Sequence, residues 1–283
     1  MIALLAVVAK LLLYLGATVV IGDVTVRARH VFALAGSLPA AQRSVARIGW
    51  VAIVIALPLL LLAQVVSLEL DATRESYEML LTGTGWGQGW LVLLAVTMAG
   101  CAAFALRWTI ALQLIAVAAL AMALGGLGHA AADEGWPVLS RVLDGVHVAA
   151  VGAWIGGLLL LARFAPHEHQ GEAWARFSRV ATVAAPLVVA SGIGASLRRL
   201  AGVPTDAGVS AAVSAVFSTD YGWWLLAKLA LALVVLGYGA RHRQRIAREQ
   251  FVGTRTIRAE LAFALLVFAV TAVLTGSAPP GEY

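Results

Sequence analysis

The sequence predicts an all-α polytopic membrane protein, a transmembrane bundle of about eight helices in one integral membrane domain, residues 1–283. Of the 283 residues, 61% are hydrophobic and 12% are charged. Soluble domains carry roughly 25% charged residues, so about half of the usual charge is missing. The mean hydropathy is +0.90, and the apolar residues fall in blocks long enough to cross a bilayer as helices. This composition excludes a soluble enzyme, a secreted disulfide scaffold and a disordered chain.

Eight apolar blocks are the predicted spans. They cover residues 2–22, 49–69, 89–106, 109–128, 139–162, 180–197, 222–240 and 259–276. A helix of about 20 residues, rising 1.5 Å per residue, covers a hydrocarbon core of roughly 30 Å. We interpret the first block as a retained span, because no basic segment precedes it as in a signal peptide. The connections are too short for a separate domain outside the membrane.

Arginine placement predicts the orientation of the bundle. Fourteen arginines lie at the odd-numbered loops and four lie at the even-numbered loops. Because cytoplasmic loops are rich in basic residues, we expect both termini outside and the odd-numbered loops in the cytoplasm. The formal net charge of +5 follows from this asymmetry and indicates no nucleic-acid partner. The single cysteine, Cys101, excludes an intramolecular disulfide and a cysteine-based metal cluster.

Small and aromatic residues predict helix packing and depth in the bilayer. Gly152 and Gly156 are spaced as a small-xxx-small pair, which is typical of a close helix contact. Trp154 is the one tryptophan deep in a span, and we interpret it as core packing. The other tryptophans are expected at the two membrane interfaces. The predicted outer belt is Trp86, Trp90, Trp136, Trp223 and Trp224, and the predicted inner belt is Trp50, Trp108 and Trp174.

Ionisable side chains inside spans are the first candidates for function, because a charge in hydrocarbon is costly. Lys10, His147 and Lys228 lie roughly 10–15 Å below the outer ends of their spans at 1.5 Å per residue. Asp144 precedes His147 by three residues and therefore shares its helix face. For the two lysines we favour a structural role, in which they snorkel or pair with Asp144 or Asp220.

Two histidines predict a metal site at the outer end of the bundle. His129 ends the fourth span and His147 lies in the fifth, and the short connection brings both in from the same side. With Asp144, and with Met122 or Asp220 nearby, they offer imidazole and carboxylate donors that suit copper or another late transition metal. The alternative is two interfacial histidines that hydrogen-bond to backbone or water.

Other polar residues receive supporting or structural interpretations. Tyr221 shares a helix face with Lys228 and is a possible pathway residue. His30 and His242 lie among arginines, which disfavours cation binding, so we expect solvated loop residues. The His-Glu-His run at 167–169 is interpreted as a solvated loop. Glu260, near the inner end of the last span, is expected to pair with an arginine.

Several segments together resemble the copper resistance protein D (CopD/PcoD) membrane family. The stretch 144–158, DGVHVAAVGAWIGGL, is similar to the fifth-span motif of that family. Further similar segments are RFSR at 176–179, TDYG at 219–222 with LAK at 226–228, GHA at 128–130 and the ending from Glu260 to Pro280. The resemblance covers the chain from about residue 120 onward, and the first three spans match in layout.

This resemblance implies a multi-pass protein of the bacterial cytoplasmic (inner) membrane that handles copper. It usually implies copper uptake together with a periplasmic copper-binding protein (CopC-like), which we expect here as a separate partner. Our leading hypothesis is copper transport or tolerance, not enzymatic catalysis, with copper ion captured by His129, His147 and Asp144. The runner-up is a haem b electron-transfer protein, a membrane oxidoreductase in which the same histidines are axial ligands. A third is a structural or sensing subunit.

Overall fold

The computed structural model describes residues 2–31, 40–127, 137–164, 170–200, 217–248 and 253–276. Within these ranges the chain forms nine helices and no strand, which confirms the predicted all-α class. The helices are α1 (Ile2–Ala28), α2 (Ala40–Ser67), α3 (Arg74–Gly83), α4 (Gly85–Ala105), α5 (Ile110–Gly125), α6 (Pro137–Phe164), α7 (Gln170–Leu200), α8 (Asp220–Ala247) and α9 (Thr254–Leu274).

Seven of these helices are long and apolar enough to cross a membrane, which makes the chain a multi-pass membrane protein. The eighth apolar helix, α5, occupies the place of the predicted fourth span, and its 16 residues reach about 24 Å at 1.5 Å per residue. The remaining helix, α3, was not predicted. It is a short helix before α4 whose N-terminus is capped by Thr73, whose side chain accepts a hydrogen bond from the Ser76 amide.

α1 is the central helix of the bundle and packs against α2, α5, α6 and α9. Its contact with α6 is backbone to backbone. A Cβ on Gly156 would lie 2.0 Å from the Thr18 carbonyl oxygen, and a Cβ on Gly22 would lie 2.3 Å from the Gly156 carbonyl carbon. The predicted close contact at Gly152 and Gly156 is therefore confirmed. The five residues Gly152–Gly156 form a π-helical turn, which the sequence pattern did not reveal.

Two apolar clusters form the core. The N-terminal cluster draws on α1, α2, α4 and α5, with Leu13, Ile53, Leu93 and Leu120 among its buried members. The C-terminal cluster draws on α6 to α9 and on the inner end of α1. Its buried members include Val26, Leu158, Phe177, Val235 and Ala264.

Three tryptophans of the predicted belts are buried among other side chains. Trp50 and Trp90 are buried in the N-terminal cluster and Trp174 in the C-terminal cluster. The Trp90 Nε1–H donates to the Leu57 carbonyl oxygen at 3.1 Å, so its polar atom is satisfied inside the protein instead of at a membrane surface. Trp108, Trp223 and Trp224 are exposed, as an interfacial position requires, and Trp136 lies outside the described residues.

Contacts between helix ends agree with the predicted alternation of loops. At one end, the Arg27 guanidinium donates to Gln113 Oε1 at 2.6 Å, and Arg176 donates to the His30 carbonyl oxygen at 2.7 Å. Ends assigned to the odd-numbered, arginine-rich loops therefore lie together. At the opposite end, Arg198 Nε donates to Ser140 Oγ at 3.2 Å and joins the outer parts of α6 and α7.

Candidate metal site

His147 lies on α6 against α7, in the half of the bundle that the sequence predicts to be the outer one. Its Nδ1 is 3.1 Å from the Val188 carbonyl oxygen and 3.1 Å from Ser191 Oγ. The Ser191 hydroxyl donates its proton to the Leu187 carbonyl oxygen at 2.5 Å. A carbonyl oxygen accepts and never donates, so the contact with Val188 requires a proton on Nδ1 of His147. In the neutral imidazole, the lone pair is then on Nε2.

The position of His147 is fixed by small residues and by an outer hydrogen bond. A Cβ on Gly192 would lie 3.3 Å from His147 Cε1, so a glycine there lets α7 approach the imidazole. Ser140 lies seven residues from His147 on α6, and Arg198 lies seven residues from Ser191 on α7. The hydrogen bond between Ser140 and Arg198 is therefore about 10 Å from the imidazole, at 1.5 Å per residue. The imidazole is therefore well inside the bundle and half-buried.

α5 packs closely on α6 next to this histidine. A Cβ on Gly125 would lie 2.6 Å from the Gly145 amide nitrogen, and a Cβ on Gly145 would lie 2.5 Å from Met122 Sδ. Met122 is thus in contact with the helix turn that carries Asp144 and His147. The end of α5 is held against α6 at this level, and His129 follows the last described residue of this segment by two positions.

His129 itself lies outside the described residues, and so does the run 167–169. The predicted grouping of His129 with His147 and Asp144 therefore stays a prediction. Among the ranges that the structure describes, no three residues of the types His, Cys, Asp and Glu are grouped so that they could hold a metal ion. Asp144 is half-buried on α6.

Two of the predicted supporting residues, Lys10 and Tyr221, form a second group at the C-terminal end of α9. Lys10 Nζ lies 3.2 Å from the position a Cβ on Gly276 would take. The Tyr14 hydroxyl, one turn along α1, donates to Thr275 Oγ1 at 3.5 Å. Tyr221 is buried with Leu225 and Leu274 in a small apolar cluster. These contacts pack α1 and α8 against the end of α9, and the structural role favoured for Lys10 stays a prediction.

Two further supporting candidates, Asp220 and Lys228, lie on α8, as Tyr221 does. Asp220 is exposed in the first turn of that helix, and Lys228 is half-buried two turns further on. The described contacts thus divide the candidates into two groups. His147 belongs to the contact of α6 with α7, whereas Lys10 and Tyr221 belong to the contacts made by the end of α9.

At the inner end, the interpretations of His242 and Glu260 were wrong. His242 is buried, not solvated, and Glu260 faces this histidine instead of an arginine, with His242 Nδ1 2.8 Å from Glu260 Oε2. The buried faces of their helices account for this placement. His242 follows the buried Val235 by seven residues, and Glu260 lies between the buried Ile257 and Ala264, which is helical spacing on one face.

Trp154 and His30 behave as the sequence suggests. Trp154 is buried in the C-terminal cluster, and its indole lies where a Cβ on Gly239 would be, so it packs the core as expected. His30 is exposed and has a left-handed backbone with φ of 49°.

Sequence reasoning missed Val188, Ser191 and Gly192, the residues of α7 that contact His147. A polar Ser191 beside a glycine in an apolar span was the available signal. It indicates a point where a neighbouring polar side chain comes close to the backbone.

Comparison with known families adds an independent observation. Residues 171–274 match the family model of copper resistance protein D. Residues 1–141 match the model of the copper resistance protein D-like N-terminal domain. The segment with Asp144 and His147 lies between the two matched ranges. No curated protein and no solved structure matches the chain.

Proposed function

We propose that this chain, which belongs to the copper resistance protein D family, carries copper from the periplasm to the cytoplasm across the bacterial inner membrane. Family membership supports a role in copper handling. The observation that carries the site assignment is the hydrogen bond between His147 Nδ1 and the Val188 carbonyl oxygen, 3.1 Å long. This bond leaves Nε2 as the nitrogen with the coordinating lone pair.

The tautomer matters because only an unprotonated imidazole nitrogen binds a metal. Metal-ligating histidines commonly donate their other N–H to a carbonyl or a carboxylate, which fixes the ring and increases its basicity. Val188 performs this role for His147, and Gly192 lets α7 come close enough to the ring for this bond. The ring is therefore already oriented before copper arrives, which lowers the entropic cost of binding.

The remaining ligands in this proposal come from the turn of α6 that holds Asp144 and from the end of α5. His129 is the second imidazole, and Asp144 is either a ligand or a group that orients the site. Imidazole and carboxylate together suit copper, and the thioether of Met122 is a soft donor suited to Cu(I). Copper is the cargo here and enters from the outer end, where a separate CopC-like periplasmic protein delivers it.

The orientation in the proposal places both termini in the periplasm. The arginine asymmetry supports it, and so do the contacts that join the arginine-rich ends at one side of the bundle. His147 then lies in the outer half and receives copper from the periplasm.

A copper-binding isotherm on the purified protein in detergent tests the proposal. We expect His147→Ala and His129→Ala each to abolish high-affinity binding with the fold intact. The double variant should be no worse than either single variant, because one site is removed. Asp144→Asn should weaken binding by about 10- to 100-fold if the carboxylate orients a ligand. His30→Ala is the matched control, since His30 is exposed at the opposite end.

The control should bind copper like the wild type. Wild-type affinity and wild-type copper-dependent growth in both single variants would show that the site is elsewhere. A visible spectrum of the same samples distinguishes copper binding from the haem hypothesis. A Soret band in the wild type that disappears in both variants would show that these histidines are axial haem ligands instead of copper ligands.

A further inference from the structure

We propose that His242 and Glu260 form a proton-binding site at the inner end of the bundle, with one shared proton that exchanges with water in an adjacent cavity. The site itself is independent of copper. Its coupling to copper movement rests on the function proposed above.

The hydrogen bonds around His242 fix the position of one proton. The Thr256 hydroxyl donates to the Gly253 carbonyl oxygen at 2.7 Å, and a hydroxyl has one proton to give. His242 Nε2 lies 3.1 Å from Thr256 Oγ1, so Nε2 must carry the proton and donate it. The other ring nitrogen, Nδ1, faces Glu260.

The contact between Nδ1 and Glu260 requires a second proton. His242 Nδ1 and Glu260 Oε2 are 2.8 Å apart, and two lone pairs at this distance repel each other. A proton on either atom removes the repulsion, as imidazolium with carboxylate or as imidazole with carboxylic acid. The pair is electrically neutral in both arrangements. Loss of this proton to water leaves neutral imidazole and a carboxylate, with a net charge of −1.

The pair is deeply buried, so the gain or loss of the shared proton has a large energetic effect. The Glu260 side chain is 1% exposed and the His242 side chain is 7% exposed. The contact is close but does not have the geometry of a hydrogen bond donated by the ring, and no described residue donates one to either oxygen of Glu260. A buried carboxylate with so few donors is strongly disfavoured in its charged form unless a partner shares the charge.

A cavity lies directly beside this pair. It has a volume of about 420 Å³ and is lined by both His242 and Glu260, together with Trp154, Trp174 and Ser178. This volume holds several waters, since each needs roughly 10–15 Å³ of probe-occupied space. Its lining residues on α7 and α8 lie in the halves of these helices nearest the arginine-rich loops.

Few other charges act on the pair. Of the described residues that line the cavity, α6 and α7 contribute no ionisable side chain, and α8 contributes Arg243, which is exposed. Tyr238 lies against the His242 ring with 6.4 Å between ring centroids. The shared proton is thus the main variable charge in this region, and its release changes the charge of the contact between α8 and α9.

Infrared difference spectra between pH values test the proton site on the metal-free protein. In the wild type, a carboxyl signal and an imidazole signal should titrate together in one step. Both should disappear in Glu260→Gln, because the amide keeps the shape but holds no exchangeable acid proton. Glu172→Gln is the control, since Glu172 lies on α7 with a side chain 61% exposed, and it should leave the coupled step unchanged.

Independent titration of the two signals in the wild type would overturn the shared proton, and so would an unchanged step in Glu260→Gln. The coupling is tested in proteoliposomes with an imposed pH gradient. Copper uptake by the wild type should respond to the gradient, whereas Glu260→Gln should lose that response. An equal response in both proteins would refute the coupling, and no copper uptake by the wild type would refute the transport function while the spectra still decide the proton site.

Discussion

Two buried carboxylates at the inner end of the bundle have very different surroundings. Asp23, on α1, is held by three donors. Arg27 Nε and Nη2 donate to its Oδ2 at 2.9 and 2.7 Å, and Gln42 Nε2 donates to its Oδ1 at 3.0 Å. Arg27 also donates to Gln113, whose amide donates to the Trp108 carbonyl oxygen. This network joins α1, α2 and α5.

Among the described residues, Glu260 on α9 has one close polar partner, His242, and it lines a cavity. The difference shows which carboxylate holds the fold and which is available for chemistry. A buried charge whose hydrogen bonds are all made locks its helices in place, and removing a partner leaves an uncompensated charge. A buried carboxyl with one partner and access to water can change its protonation instead. We therefore assign a structural role to Asp23 and a proton-binding role to Glu260.

The largest expected effect concerns the close contact between α1 and α6, which lies between the N-terminal and C-terminal clusters. Gly156→Leu should abolish the folded state or lower its yield severely, because its Cβ would lie 2.0 Å from the Thr18 carbonyl oxygen and backbone cannot move aside cheaply. Overpacking typically costs about 1–3 kcal/mol, and more where backbone is struck. Size-exclusion chromatography of detergent extracts measures the folded fraction.

Gly237→Leu is the matched control for this variant. Gly237 lies on α8, and a Cβ there would meet nothing within 4 Å, so the folded yield should stay at the wild-type level. Equal yields for the two leucine variants would show that the contact of α1 with α6 is not close.

The next effect separates the two carboxylates directly. Asp23→Ala should lower the free energy of unfolding by about 3 kcal/mol, because it leaves Arg27 largely buried without its partner. Glu78→Ala removes the acid of the Arg74–Glu78 pair, which has the same spacing of four residues. The Arg74 and Glu78 side chains are 89% and 59% exposed. That control should change stability by less than about 1 kcal/mol. Chemical unfolding in detergent, followed by tryptophan fluorescence, provides both values, and equal losses would remove the distinction between buried and exposed pairs.

The smallest effect is expected at the proton site. Glu260→Gln should change the free energy of unfolding by about 1 kcal/mol or less, because the amide can still donate to His242 Nδ1. The same unfolding experiment applies. A loss as large as that of Asp23→Ala would mean that Glu260 stabilises the fold through its charge, which contradicts the comparison.

The sequence was informative about helices and depth because both follow from local hydrophobic pattern. The class of fold, seven of the spans and the close contact at Gly156 were all predicted correctly. α3 was missed because a ten-residue helix with exposed charges has no strong hydropathy signal. The burial of Trp50 and Trp174 was not predicted, because composition near a span end does not reveal which face the side chain takes.

Partners across helices could not be predicted from the sequence. The acceptor for His147 is a backbone carbonyl 41 residues away, which no spacing rule can identify. His242 was misjudged because its arginine neighbours suggested a solvated loop. Its phase relative to Val235 and Gly239, which face the C-terminal cluster and Trp154, contained the correct information, since a buried helix face continued past the end of the predicted span.

The most direct test of the copper site is the nitrogen NMR spectrum of the protein labelled with ¹⁵N at its six histidines. The His147 signals are assigned by their absence in His147→Ala. Without copper, Nδ1 should be protonated and Nε2 should not, as the bond to Val188 requires. Addition of diamagnetic Cu(I) should then move the Nε2 signal while Nδ1 keeps its proton. A protonated Nε2 in the copper-free protein, or an Nε2 signal that does not move when copper is added, would contradict the assignment.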